Sequence, residues 1–187
     1  MESKKKIIIS VGRFTDQDII DRLENDNLCY IEAYDPLEKV YQKYLKIAEK
    51  YPKRFVPSNN AVSAEFGESY LYAKTTKSTI CPINTDVVID KDHLKNVSVV
   101  SMQSILERFD RIDELHINCE GSEIPIVMET DLSLFEKCDF IFIQFHTFIP
   151  FLSITQEDML KCIEKLKSKF TAKKIHKHDW AFKKFVE

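Results

Sequence analysis

The segment Cys138 to Phe145, Cys-Asp-Phe-Ile-Phe-Ile-Gln-Phe, is apolar on both of the faces that a strand presents. A strand of this kind belongs inside a parallel sheet that is covered on both sides. Parallel neighbours need crossover connections, and the rest of the chain supplies helices for them. Lys6 to Val11 is a β-branched strand that ends at Gly12. Thr15, with Asp18 three residues on, forms a box-like helix cap, and Ile19, Ile20 and Leu23 give the following helix an apolar face. Leu28 to Tyr34 predicts a second strand, stopped at Asp35-Pro36, because proline cannot continue a ladder but suits a helix entrance. Leu37, Val40, Tyr44, Leu45 and Ala48 then mark one helical face through Tyr51.

Arg54 to Ser63 reads as a third strand, irregular or near an edge because of Pro57. The stretch from Glu68 to Ile89 predicts one or two short extra strands and a loop rich in Thr and Ser. Val97 to Val100 is a further short strand, and Ser101 caps a helix to about Phe109. A strand from Glu114 leads into a helix from Ser122 to about Thr130, with a turn of helix near Leu132 to Lys137. Glu157 to Phe170 is an amphipathic helix, with Met159, Leu160, Ile163 and Leu166 facing inward. Thr171 to His176 and Trp180 to Val186 predict a closing antiparallel hairpin. The alternation predicts an α/β fold, a Rossmann-like doubly wound and mostly parallel sheet. With no repeat or linker, residues 1–187 are expected to form one domain.

Composition narrows the function classes. A formal charge of −3 gives no general basic field, so nucleic acid is not the expected partner. The clusters Lys4-Lys5-Lys6 and Lys165 to Lys184 read as a solvated terminus and a solvated helix face with its hairpin. No apolar run approaches the ~20 residues of a membrane span, and the N-terminus lacks the pattern of a signal peptide. The five cysteines, Cys29, Cys81, Cys119, Cys138 and Cys162, contain no Cys-x-x-Cys pair. They predict reduced thiols in a cytoplasmic protein rather than disulfides or structural zinc.

Chemistry concentrates at Glu114 to Glu123, Glu-Leu-His-Ile-Asn-Cys-Glu-Gly-Ser-Glu. Leu115, Ile117 and Cys119 alternate with His116 and Asn118, and Glu120-Gly121 breaks the period before a helix. Ligands of open α/β sheets sit at the carboxyl ends of strands, where loops are exposed and helix N–H groups are free. Asn118, Glu120 and Gly121 are suitable materials for such a site; the plainer alternative is a capped turn with solvated acids. Gly12 ends the first strand either as a simple turn or so that backbone can approach a nucleoside. Asp35 follows it by 23 residues, near the ~20 at which an acid meets a ribose diol in dinucleotide folds. Asp35 equally suits a helix cap before Pro36.

A seven-stranded α/β chain with a terminal hairpin resembles the class I S-adenosylmethionine (SAM) methyltransferase fold. Within it, His116-Ile-Asn-Cys-Glu-Gly-Ser-Glu123 is similar to the Lys-Ile-Asp-Val-Glu-Gly-x-Glu run of FkbM-type methyltransferases, departing from it at His116 and Asn118. Tyr34-Asp35-Pro36 resembles the family's Phe-Glu-Pro, and Asn60-Ala61-Val62-Ser63 its Asn-x-Ala-Leu-Ser. Ile143-Gln144-Phe145-His146 resembles its Glu-x-His strand ending. A subgroup with Asn and Gln at the exchanged positions also ends in a His-x-x-x-Trp hairpin like His176 to Trp180.

The resemblance implies a SAM-dependent O-methyltransferase acting on a hydroxyl of a sugar, glycan or small natural product. It implies cofactor contacts at Gly12, Asp35, Asn60, Ala61 and Asn118, with Asp35 on the ribose hydroxyls and Asn60 and Ala61 along the adenine. Glu120 is the candidate base for the acceptor hydroxyl, and His146, whose imidazole titrates near neutrality, is the second. Gln144 cannot ionise and is left a binding role toward substrate. Phe148, in the apolar loop of Ile149, Pro150 and Phe151, lines an acceptor pocket or packs in the core. Glu123 reads as a first-turn acid favoured by the helix dipole. His176 and His178 read as surface groups. Two family acids are amides here, so no metal is expected.

One loop departs from the pattern. Where the family has Asp-x-Gly-Ala-x-x-Gly, this chain has Ser10-Val-Gly12-Arg-Phe-Thr15, with one glycine and no acid. Arg13 and Phe14 are expected to place bulk where the cofactor's methionine arm lies. A silent methyltransferase-like module for binding or assembly therefore stands as the alternative, and an enzyme handling sugar nucleotides as a third reading. A homo-oligomer stays open.

Overall fold

The computed structural model describes residues 4–12, 14–73, 78–80, 91–149 and 152–185. In chain order the elements are β1 (Lys6–Val11), α1 (Asp16–Asn25), β2 (Cys29–Tyr34), α2 (Glu38–Lys50), β3 (Phe55–Ser58), β4 (Ala61–Ser63), β5 (Gly67–Ala73) and β6 (Ser78–Thr79). After a 3-10 turn at Lys91–His93 come β7 (Leu94–Ser101), α3 (Met102–Glu107), β8 (Ile112–Ile117), α4 (Glu123–Glu129), α5 (Leu132–Phe135), β9 (Cys138–Gln144), α6 (Gln156–Lys167), β10 (Phe170–Lys174) and β11 (Asp179–Lys184).

The main sheet has seven strands in the order β10-β11-β9-β8-β1-β2-β3. Every described pairing within it is parallel except those of β11, which runs antiparallel to both β9 and β10. The order reverses between β1 and β8, so the carboxyl ends of those strands open a crevice for a ligand. The capping box of α1 forms as expected: Thr15 Oγ1 accepts from the Asp18 amide at 3.2 Å, and Asp18 Oδ2 accepts from the Thr15 amide at 2.9 Å.

The single strand expected over Arg54 to Ser63 is two strands in two sheets. β3 pairs with β2 at the edge of the main sheet, and after Asn59-Asn60 the chain turns into β4, which pairs with β7. Asn60 Nδ2 donates to Ser58 Oγ at 2.8 Å and Asn59 Nδ2 to Glu38 Oε2 at 2.8 Å, so side-chain bonds hold the turn where the ladder stops. The extra strands expected in Glu68 to Ile89 are β5 and β6, and the remainder of that segment lies largely outside the described residues. Together with β4 and β7 they make a second sheet of four strands, β4-β7-β5-β6. The short strand expected at Val97 to Val100 is the centre of β7, which is lengthened by its antiparallel ladder with β5.

Two cores flank the main sheet. On one face, Ile9, Leu115, Ile117, Ile141 and Ile143 pack against Ile105, Ile126, Val127, Met159 and Ile163 of α3, α4 and α6. On the other, Ile8, Ile31, Ala33 and Phe55 pack beneath Ile19, Leu23, Tyr44 and Ile47 of α1 and α2. Those two helices cover β1 to β3 and stop short of β9. Phe140 and Phe142 are therefore only half-buried, in a groove of about 560 Å³ shared with Phe14, Arg22, Glu114 and His116. The strand expected to be buried on both faces is fully covered on one.

Candidate active site

The tips of β1, β2 and β8 are stitched together by backbone hydrogen bonds. The Gly12 amide donates to Tyr34 O at 2.9 Å, the Asn118 amide to Val11 O at 2.9 Å, and the Asp35 amide to Ser58 O at 3.1 Å. Above them lies a cavity of about 110 Å³ lined by Gly12, Asp35, Asn60, Ala61, Asn118 and Glu120, among others. The structure thus gathers all five expected cofactor residues and the first candidate base around one hollow. Its outer wall includes Leu71 and Ile80 of the small sheet and its approach, residues that nothing in the sequence motifs singled out.

Gly12 has φ +63°, and a Cβ on it would stand 2.3 Å from the carbonyl oxygen of Asn118. The side of Gly12 that lacks a Cβ therefore meets the backbone of the neighbouring strand tip. Phe14 does not fill the cavity. Its ring is 8% exposed in the core beneath α1 and α2, 4.8 Å from the His116 ring centroid, and its amide donates to Ser10 Oγ at 3.2 Å. The plug expected from Phe14 is absent because the α1 cap turns its side chain onto the sheet face. Arg13 lies outside the described residues.

Asp35 is partly buried, and burial raises its carboxyl from an ordinary 3.8 to about 6, against the lowering effect of the Leu37 amide and Lys39. Its Oδ1 accepts from that amide at 2.9 Å. Helix α2 begins at Glu38 with Leu37 in the cap position, so Asp35 braces the entrance without being the cap residue.

Beyond the tip of β8 the chain turns sharply. Glu120 has φ +52° and Gly121 φ +112°. Glutamate in the left-handed region is strained, and it persists only where its surroundings hold it. Glu123 does much of that holding. Expected to be an ordinary first-turn acid, it is wholly buried, with Oε1 accepting from the Cys119 amide at 2.8 Å and Oε2 from the Gly121 amide at 2.9 Å. His146, at the end of β9, places Nδ1 2.7 Å from Glu123 Oε1 and Nε2 3.6 Å from Glu120 Oε1. The two candidate bases therefore stand side by side, with Glu123 behind them. Its spacing in Glu-Gly-Ser-Glu was visible, but its burial was not, because one helix turn does not reveal which way its first residue faces.

The remaining candidates lie further out. Phe148 is 42% exposed, and its ring lies between His146 at 5.3 Å and His178 at 4.6 Å. Gln144 does not line the cavity: its Nε2 donates to Asp179 Oδ1 at 2.9 Å across the β9–β11 pair. That bond gives its amide a structural partner in the hairpin, which the strand-ending motif did not reveal.

A seven-stranded sheet in this order, with its last strand reversed and a cavity over the tips of β1, β2 and β8, defines a class I methyltransferase fold. The family model for the methyltransferase FkbM domain matches residues 13–170, and the chain belongs to this family of SAM-dependent methyltransferases. No curated protein matches the chain. Among solved structures, it is similar to an rRNA methylase from Streptococcus thermophilus at 8% identity, with a TM-score of 0.48, covering 98% of this chain and 89% of that one. It is also similar to the Methanococcus jannaschii fibrillarin pre-rRNA processing protein at 10% identity, with a TM-score of 0.48, covering 100% of this chain and 69% of that one.

Proposed function

We propose that this protein transfers the methyl group of SAM to a hydroxyl oxygen of a sugar, glycan or small natural product. The observation that carries the reading is the convergence of Asp35, Asn118 and Glu120 on one cavity, with His146 directly behind Glu120. The donor set suits SAM: a carboxyl for the ribose diol at the tip of β2, an amide at the tip of β8, and Asn60-Ala61 as a neutral wall for a base. At about 110 Å³ the cavity is smaller than the ~300–1,000 Å³ of common ligand pockets. A whole SAM molecule therefore does not fit inside the hollow as it stands; binding requires the walls to part or the ligand to extend out of the opening.

Bound SAM supplies a methyl carbon on a positively charged sulfur, open to in-line attack by an acceptor oxygen. The chain's part is to align the acceptor and to receive its proton. Ionised Asp35 accepts from the ribose hydroxyls, and Asn118 holds the methionine end or an acceptor hydroxyl. Glu120 orients the acceptor hydroxyl or takes its proton; His146 is buried and does not line the cavity, so its basic nitrogen acts through Glu120, 3.6 Å away. Phe148 offers an exposed ring beside His146 for the apolar face of an acceptor. An acceptor other than nucleic acid is proposed because a formal charge of −3 offers little general attraction to a phosphate backbone. Among the described residues no helix is long and apolar enough to cross a membrane. The free thiols Cys29, Cys138 and Cys162 support a reducing, cytoplasmic setting.

The test is methyl transfer from isotope-labelled SAM to separate panels of sugars, natural-product alcohols and ribosomal RNA. Label is expected in a hydroxyl-bearing small molecule or glycan, with Glu120→Gln reducing it by about 100-fold or more. Label entering RNA alone would replace the proposed acceptor class.

A further inference from the structure

We propose that Glu123 is a positioning residue that fixes the imidazole of His146 as its Nδ1–H tautomer and so turns the basic Nε2 toward Glu120. The inference rests on the methyltransferase reading for its purpose, but its geometry does not depend on which acceptor is used.

Three nitrogens converge on the carboxyl of Glu123. Two are the backbone N–H groups of Cys119 and Gly121, at 2.8 and 2.9 Å. The third position is His146 Nδ1, at 2.7 Å from Oε1. An ionised carboxylate only accepts hydrogen bonds, so the nitrogen facing it carries the proton. A protonated Glu123 would spend one oxygen as a donor in a place where its neighbours are themselves donors. The short contact is also within the range of a charge-assisted bond. Glu123 and His146 are 0% and 3% exposed, so water does not compete for either group at this contact.

The same carboxylate sets the first candidate base, Glu120. By gripping the amides on both sides of Glu120, it holds that residue at φ +52°. One buried group thus orients both the imidazole and the strained carboxylate beside it. A histidine aligned by a carboxylate on the far nitrogen is the usual way to give an imidazole one defined basic face.

The test is nitrogen-15 NMR of the histidine side chains in the full chain, at a pH where the imidazoles are neutral. Free histidine favours the Nε2–H form. His146 is expected to show the reverse, with Nδ1–H dominating by about tenfold or more, as one hydrogen bond to a charged group allows. Glu123→Gln offers a single carbonyl oxygen to three donors, and the preference is expected to collapse. A wild-type His146 in the Nε2–H form overturns the proposal, as does a Glu123→Gln protein that keeps the wild-type signature. Should the variant not fold, the wild-type tautomer alone decides. SAM binding measured on the same wild-type sample separates the two readings: absent binding counts against the methyltransferase reading and leaves the tautomer assignment standing.

Discussion

Gly12 and Asn118 touch backbone to backbone: a Cβ on the glycine would lie 2.3 Å from the asparagine's carbonyl oxygen. The contact closes β1 onto β8 at their carboxyl ends and makes the floor of the cavity out of protein. The glycine is needed for two independent reasons, its φ of +63° and the absence of space.

Gly12→Ala is therefore expected to part the two strand tips. The left-handed conformation costs an alanine about 1–2 kcal/mol, and the clash with backbone adds to it. A urea denaturation curve should show a loss of at least about 2 kcal/mol, together with weaker SAM binding. An unchanged midpoint would mean that the tips separate freely.

If Asp35 holds the ribose as proposed, ligand affinity is expected to depend on pH in a defined direction. Its carboxyl is raised by burial to about 6, so it gains charge only as the pH passes that value. The folded state holds this proton more tightly than the unfolded state. The group's contribution therefore lowers stability as pH rises from 3.8 toward 6, the reverse of an ion-paired aspartate. SAM affinity is expected to rise as the pH approaches and passes 6, since in the proposed site only the ionised form would accept from both ribose hydroxyls. Asp35→Asn should abolish that rise and be more stable than wild type above pH 6; calorimetry and thermal melts at several pH values check both.

The proposed role of Glu120 implies a trade of stability for chemistry, since its backbone is held at φ +52°. Relieving its left-handed backbone gains about 1–2 kcal/mol, and the entropy of an added glycine returns about 0.5–1. Glu120→Gly is accordingly expected to raise the melting temperature slightly while abolishing methyl transfer. A variant that melts lower than wild type would show that the carboxyl supports the fold.

Away from the site, Glu32 is 3% exposed, and the hydroxyls of Tyr30 and Tyr34 donate to it at 2.8 and 2.7 Å. Arg108 Nη2 reaches it at 2.5 Å. Arg108→Ala would leave that carboxylate buried with only neutral donors. The expected cost is about 2–3 kcal/mol, below that of a fully buried pair because the Arg108 side chain is half-exposed and the tyrosines remain. Chemical denaturation measures it, and a cost within error of zero would place the charge in better contact with water than its burial indicates.

Much of the main sheet was legible because its signals are local. The Thr15-Asp18 box, the Pro36 stop and the apolar run at Cys138 each announce an element within a few residues. The second sheet was not legible, since β4 and β5 find their partner β7 far along the chain and the sequence between marks no register. At the site, the glycine that ends the first strand and the family segments carrying Asp35, Asn118 and Glu120 marked strand tips that do converge. What they concealed was orientation. Phe14 turns under its helix, Gln144 turns to Asp179, and Glu123 turns inward to His146, each choice made by packing from elsewhere.

The hollow above Gly12, Asp35 and Asn118 is proposed to take an adenosyl group. Isothermal titration of the wild-type chain with SAM and with its demethylated product tests it most directly, with Asp35→Asn as the control. Saturable one-to-one binding of both, weakened by about tenfold or more in the control through loss of a charge-assisted hydrogen bond, is the expected result. No heat and no thermal stabilisation from either ligand would contradict it, leaving a methyltransferase fold whose cavity serves another purpose.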